Sequence, residues 1–342
     1  MKVGKIPESV LKRSVLKQIK TKRNEVINGA GVGEDCAIFA PSGREYTVSC
    51  MGGTAVFREN DLKKAIIKCT NNLAASGAEP FALMLTLLLS GDMEEGNIRR
   101  LMSAAEEICK KLNIQIAGGH TAVVSGREVT HAVTVGLGKL EAAVAKAGNK
   151  AGPGQDIVIS KWIGLEGTAA LAEAFNADLK GQYPEYLVDE AAGFNRFLSV
   201  IPEAATAVKS GVRAMHDASE GGIFAALWEL GERSGIGLTI DLMKLPIRQE
   251  TVEVCEYLNV NPYELLSGGC LVMAAEDGPK LVGALAAENI PAVVAGKITA
   301  SNDKVVINGD EVRFLERPRT DEIYRMLPDR IIHKSDEAAR DI

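Results

Sequence analysis

Four short segments of this 342-residue chain carry residue types able to hold an anion or a cation. The first is Gly29-Ala30-Gly31-Val32-Gly33-Glu34-Asp35. Glycines leave main-chain N–H groups open to a phosphate, and the two carboxylates offer the hard oxygens that Mg²⁺ prefers. No Gly-Lys-Ser/Thr follows, so this is not a Walker A loop. A strand rather than a helix follows, so it is not a dinucleotide fingerprint either. The same residues also read as a tight turn with two solvated acids.

The second segment is Asn71-Asn72 within a helix. Asparagine is a poor helix former, so the pair reads as a retained polar contact, or else as a cap or kink. The third is Gly118-Gly119-His120-Thr121, just after a short apolar strand. Strand ends are where α/β proteins hold ligands, and His120 could meet phosphate or a transition metal, or serve as a structural hydrogen-bonder. The fourth is His216-Asp217-Ala218-Ser219-Glu220-Gly221-Gly222. Ser219 reads as the N-cap of a helix beginning near Glu220, and that helix end is an anion site through its free N–H groups and dipole. Ordinary capping with close packing is the alternative. Ser267-Gly268-Gly269, before an apolar strand, is a weaker fifth element.

These segments need elements to position them. Leu62, Ala65, Ile66, Cys69 and Leu73 recur at helical spacing and predict a helix over 60–76, stopped by Gly77. The pattern also predicts helices over 10–20 and 98–112, and strands over 36–40, 46–51, 81–90, 114–117 and 129–138. The turn-forming run 148–154 is the best boundary in the chain. Beyond it strands are predicted at 157–160, 213–216, 237–241, 270–275 and 292–298. Helices are predicted at 168–175, 220–234, 249–258 and 279–288, with more helix within 186–208. Residues past about 317 read as a charged peripheral tail.

The length suits two domains of roughly 150 residues. A net charge of -6 argues against nucleic acid as the main partner. No apolar run reaches the roughly 18 residues of a membrane span, and the charged start lacks an apolar signal core; a cytoplasmic location is expected. Six cysteines with no C-x-x-C pair read as buried hydrophobes.

The order of the segments is more specific than any one of them. Gly31-Val32-Gly33-Glu34-Asp35, the Asn-Asn-Leu-Ala-Ala-Ser-Gly-Ala-Glu-Pro run at 71–80 and Gly118-Gly119-His120-Thr121 resemble the N-terminal half of the aminoimidazole-ribotide-synthase (PurM-like) superfamily. Gly-Leu-Glu-Gly-Thr at 164–168, the 216–222 segment and Leu-Ser-Gly-Gly-Cys-Leu-Val at 266–272 resemble its C-terminal half. Gly4-Lys5-Ile6-Pro7 is similar to its HypE-like branch.

The resemblance implies an α/β (α+β) fold of two PurM-like domains, at 1–147 and 154–317, with a peripheral tail at 318–342. It further implies an N-terminal sheet that dimerises into a barrel and a C-terminal α/β sandwich. It implies ATP and Mg²⁺ as cofactors, a small-molecule phosphate acceptor and a homodimer. Asp35 and His120 are then the catalytic candidates, and Asp35, Glu34 and Asn72 the metal candidates. The nucleotide candidates are Gly31, Gly33, Asn71, Gly118, Gly119, Thr121, His216, Asp217, Ser219, Gly221 and Gly222.

The sequence departs from that pattern. Asn72 stands where most members carry Asp, Met51 lies in a stretch where another Asp is expected, and His120 stands where many have Asp or Glu. About three negative charges are thereby removed from a pocket that would hold a hard cation. The sequence ends Ala339-Arg340-Asp341-Ile342, so chemistry on a terminal cysteine of the HypE kind is not expected. The first reading is an enzyme that activates a substrate oxygen by phosphoryl transfer from ATP. The alternatives are a non-catalytic nucleotide- or anion-binding accessory protein, and a metal-dependent hydrolase built on His120, His216 and Asp217.

Overall fold

The computed structural model of the protein describes residues 45–124 and 128–327, together with residues 8, 26–28, 32–33 and 37–39. Gly31, Glu34, Asp35, Cys36, the helix expected over 10–20 and the chain from 328 onward lie outside the described residues.

Six strands form the first sheet: β1 (Val26–Asn28), β2 (Ala37–Phe39), β3 (Glu45–Val56), β4 (Glu79–Leu89), β5 (Gln115–Val123) and β6 (Thr130–Glu141). Their order is β1-β2-β3-β6-β4-β5. β4 and β5 run parallel; the other pairs are antiparallel. Helix α1 (Glu59–Ala75) leads into β4, and α2 (Glu95–Lys111) is the crossover that the parallel pair requires. Leu62, Ile66, Cys69 and Leu73 lay one face of α1 on Leu83, Leu85 and Leu87 in a shared core. Each fully buried Leu or Ile contributes roughly 1.5–3 kcal/mol, enough for this stripe to outweigh the poor helix propensity of two consecutive asparagines. The helix stops at the predicted place, where the Gly77 N–H donates to the Ala74 carbonyl at 2.8 Å.

The helices cover one face of this sheet. On the other, Met51 pairs across to Val135, and Val135 to Met84; Met51 and Met84 are 69% and 45% exposed. The strand predicted at 114–117 runs on to Val123, because β4 continues to pair with it from Met84↔Gly118 to Leu89↔Val123. The 118–121 segment therefore lies inside a strand and not after one.

A short helix, α3 (Ala142–Ala147), precedes the 148–154 connection. The second sheet contains β7 (Asp156–Ser160), β8 (Ala214–Ala218), β9 (Gly237–Asp241), β10 (Cys270–Ala275), β11 (Ala292–Thr299), β12 (Lys304–Asn308) and β13 (Glu311–Phe314). Its order is β13-β12-β9-β11-β7-β10-β8. Its helices are α4 (Leu165–Ala174), α5 (Asn176–Gln182), α6 (Glu185–Ala192), α7 (Ile201–Lys209), α8 (Gly222–Ser234), α9 (Gln249–Leu258), α10 (Gly278–Ala287) and α11 (Ile323–Met326).

Strand alternation divides the packing of this sheet. Ile157, Ile159, Val272 and Ala274 meet Ile223, Leu227 and Leu230 of α8. Val158, Leu271 and Met273 meet Ala204 and Ala207 of α7 and Leu281 and Leu285 of α10. Ala74 and Ala75 of α1 belong to this latter core. The last turn of α1 is thus embedded in the packing of the other sheet, which makes the interface between the two sheets the natural place for a composite site.

The hairpin β12–β13 has no counterpart among the predicted strands. The expected peripheral tail also begins with packed residues: Asp321 is buried, and Ile323 belongs to the core around α4 and α9. A buried apolar side chain and a carboxylate held by main-chain donors fix this stretch to the body of the protein. Among the described residues Cys50, Cys69, Cys109, Cys255 and Cys270 are buried, as expected for small core residues. Among the described residues no helix is long and apolar enough to cross a membrane.

Candidate functional site

The two consecutive asparagines on α1 point at different parts of the second sheet's unit. Asn71 is buried, and both ends of its amide are used. Its Nδ2 donates to the Leu198 carbonyl at 2.7 Å, and its Oδ1 accepts from the Val200 N–H at 2.9 Å. The same strap is also held by Lys161, whose Nζ donates to the carbonyls of Phe197 and Ser199, each at 2.6 Å. That ammonium also pairs with Glu203 at 2.6 Å. Lys161 and Glu203 are both buried, so each charge depends on the other. The structure thus gives Asn71, a nucleotide-binding candidate, a main-chain clamp as its visible role.

Asn72 faces Asp217 on β8. A carboxylate only accepts, so the amide is oriented with its nitrogen toward the acid, at 3.2 Å from Oδ1 and 3.1 Å from Oδ2. Asp217 is 4% exposed, and burying a carboxylate this deeply demands such a donor. Its neighbour His216 is also buried, and its Nε2 lies 2.8 Å from Glu229 Oε2 on α8. Because the Glu229 carboxylate accepts, Nε2 carries the proton. Asp217 Oδ1 is 3.9 Å from His216 Nδ1, beyond hydrogen-bond reach.

Gly33 of the first unit comes to this place. A Cβ on Gly33 would lie 3.2 Å from the Glu229 carbonyl. The Gly33 carbonyl accepts from Arg233 Nη1 at 3.4 Å. Arg233 Nη2 donates to the Met215 carbonyl at 2.8 Å and to Asn149 Oδ1 at 3.2 Å. Asn149, in the connection between the units, also accepts from the Met215 N–H and donates to the Ala75 carbonyl. Gly33, Asn72, His216, Asp217, Glu229 and Arg233 therefore converge from both units. Gly31, Glu34 and Asp35 are neighbours of Gly33 in sequence and lie outside the described residues.

Sequence reasoning missed Glu229 and Arg233. They sit four residues apart on α8, a spacing that places both on one helix face, but nothing local marks them as more than surface charges.

The 219–222 segment differs from expectation. Helix α8 begins at Gly222, and its cap is Gly221 in the left-handed conformation, with no side-chain cap. Ser219 uses its carbonyl instead, accepting from the N–H groups of Gly222 and Ser267 at 3.1 Å each. Gly222 has φ +69, and a Cβ there would meet the Tyr263 carbonyl at 2.4 Å, so this turn requires glycine. The expected anion site at this helix end is filled by the chain itself: the Gly221 N–H donates to Asp321 Oδ2 at 2.6 Å. The Leu266 and Ile323 N–H groups bind the other oxygen at 3.2 and 2.9 Å. Burial nevertheless raises the Asp321 carboxyl to about 6. Ser267, from the fifth segment, receives the Gly164 N–H on its hydroxyl at 2.8 Å. The glycine segments of the C-terminal half are thus joined by the Ser219 carbonyl and by the Ser267 main-chain N–H and hydroxyl.

Gly118, Gly119, His120 and Thr121 are all exposed on β5. His120 pairs with Thr86, while Thr121 pairs with fully buried Leu87. Paired parallel residues project to the same side, so His120 belongs to the uncovered face with Thr86 and Met84. The structure does not bring His120 together with His216 and Asp217, because the sheet stands between them. This corrects the hydrolase grouping.

The described residues do not fit the expected cation. No group of three or more His, Cys, Asp or Glu side chains among them could hold a metal ion. Asp217 is engaged by an amide, and Met51 is an exposed thioether unsuited to a hard cation.

Two family models match the chain: "AIR synthase related protein, N-terminal domain" over residues 33–138 and "AIR synthase related protein, C-terminal domain" over residues 152–308. A hydrogenase expression/formation protein of Methanocaldococcus jannaschii is 27% identical over 281 residues, 80% of each chain. Carbamoyl dehydratase HypE of Rhodobacter capsulatus is 28% identical over 248 residues, 70% of each chain. The crystal structure of the hydrogenase maturation protein HypE in complex with ATP has a TM-score of 0.68 and 17% identity. That match covers 94% of this chain and 97% of the other.

Proposed function

Because this chain belongs to the AIR synthase related protein family, with HypE proteins among its relatives, we propose that it binds ATP at the junction of its two units and uses it to activate a substrate oxygen by phosphoryl transfer. The observation that carries this reading is the seating of Gly33, from the first unit, on Glu229 and Arg233 of α8. A glycine loop held at a domain junction presents main-chain N–H groups to a polyphosphate. The ATP complex of a HypE protein with the same fold supports that ligand class.

In this proposal the chain acts by positioning and charge stabilisation, as phosphoryl transfer requires. Main-chain donors at Gly31 and Gly33 hold the phosphates. Asp35, assisted by Glu34, would hold any Mg²⁺ that accompanies the nucleotide, and that ion would supply charge neutralisation on the phosphates. Glu229 keeps His216 in one tautomer and orientation beside Asp217. No step is assigned to a metal ion at Asn72.

The uncovered face of the first sheet supports a homodimer. Met51 and Met84 form a continuous apolar row through Val135, and a solvent-facing row of this kind favours burial against a second copy. Closure of two such sheets into a barrel would place His120, Gly118, Gly119 and Thr121 at the subunit boundary, where His120 could contact phosphate.

A second reading, a nucleotide-binding accessory protein without turnover, is favoured by the Asn72 amide, which satisfies Asp217 without a metal. Single-turnover assays with radiolabelled ATP separate the readings. Phosphate release that Asp35→Asn slows by at least about tenfold, a loss of ~1.4 kcal/mol of transition-state stabilisation, supports the enzyme. ATP binding with no turnover supports the accessory protein.

A further inference from the structure

We infer that the Asn72 amide takes the place of a bridging divalent cation between the two units, so that α1 is joined to β8 at this point without metal. The geometry is specific. Asp217 is almost wholly buried, and both its oxygens lie within 3.2 Å of the Asn72 amide nitrogen. The nearest imidazole nitrogen is 3.9 Å from Asp217 and cannot serve as a hydrogen-bond donor at that distance. The amide is therefore the side chain that meets both oxygens of this carboxylate.

An acid at position 72 would reverse the electrostatics. Two carboxylates would then face each other at about 3 Å in a buried setting, where both cannot remain ionised unless a cation lies between them. An amide supplies the positive end of a dipole at the same place and needs no ion. The contact spans the same two units that Asn71 joins through Leu198 and Val200. Metal at this position would consequently be felt as stability of the junction, whether or not nucleotide is bound.

The test uses the full chain without nucleotide, so its failure and that of the ATP reading are distinguishable. Thermal unfolding is followed in EDTA and in millimolar MgCl₂ for the parent protein, Asn72→Asp, Asp217→Asn and the double variant. The inference expects Asn72→Asp to unfold lower than the parent in EDTA and to rise by at least about 3 °C in Mg²⁺, as binding to the native state alone requires. The double variant should lose that rise. The parent should show no Mg²⁺ response that Asp217→Asn removes. A parent response abolished by Asp217→Asn overturns the inference, as does an Asn72→Asp protein that folds and ignores Mg²⁺. If Asn72→Asp fails to fold in either buffer, the comparison of parent with Asp217→Asn still decides the matter through MgCl₂ calorimetry: equal heats support it, and a heat lost in Asp217→Asn overturns it.

Discussion

Asn71 grips one strap of main chain with both ends of a single amide, donating to Leu198 and accepting from Val200. It sits on a helix of the first unit, while the strap precedes a helix of the second. The junction that would hold the ligand is therefore braced by a side chain that need not touch it.

Removing that brace should weaken the whole protein. Asn71→Ala leaves a buried carbonyl and a buried N–H without partners, which costs about 2–4 kcal/mol. Asn71→Asp keeps the acceptor for Val200 but sets a carboxylate against the Leu198 carbonyl, so it should do no better. The shift in urea midpoint, at unchanged slope, measures both.

The Lys161–Glu203 pair makes a sharper stability prediction. Both groups are buried, and the ammonium also serves two carbonyls of the strap. Lys161→Met strands the Glu203 charge and should cost about 3–5 kcal/mol. Lys161→Met combined with Glu203→Leu should recover part of that loss. A double-mutant cycle from chemical denaturation reads the coupling.

Asp321 gives a pH dependence with a defined sign. Its carboxyl is raised from 3.8 to about 6 in the folded protein. The native state therefore binds this proton more tightly than the unfolded chain. Its stabilising effect is complete below about pH 4 and is lost as the pH rises through 6. Relative to Asp321→Asn, the parent protein should lose stability between pH 4 and 6, by about 1.4 kcal/mol for each unit of the rise. Unfolding curves of the two proteins across that window provide the check.

The open sheet face predicts an oligomer. Met51 and Met84 share a row on its uncovered side. Met84→Glu should place a charge within any sheet-to-sheet contact and leave the core of the unit intact. Light scattering should find a dimer for the parent and a monomer for the variant. A parent that is monomeric at every concentration rules out the barrel proposal.

Much of this was legible in the sequence, for identifiable reasons. Helix α1 announced itself because Leu62, Ile66, Cys69 and Leu73 must share one face, and Gly77 stopped it where expected. The strand carrying His120 was cut short at residue 117, because two glycines resemble a strand end. Here they continue a ladder against β4, which sequence alone cannot see. The Gly309-Asp310 loop closes the hairpin β12–β13 and is a turn signal in the sequence, but only the first flank, Val305-Val306-Ile307, is a β-branched run. Asp321 was invisible for a different reason: one acid among several charges in a polar stretch gives no sign that it will reach the start of α8 and occupy an anion site. Glu229 and Arg233 were likewise unreadable, since their importance comes from Gly33, which is distant in sequence.

The central claim is that the junction around Gly33 binds ATP, and calorimetric titration of the full chain with ATP tests it most directly. The account predicts one saturable site per chain, with affinity lowered at least about tenfold, or ~1.4 kcal/mol, in Asp35→Asn. An absence of saturable heat, or an Asp35→Asn protein that binds ATP as tightly as the parent, would contradict it.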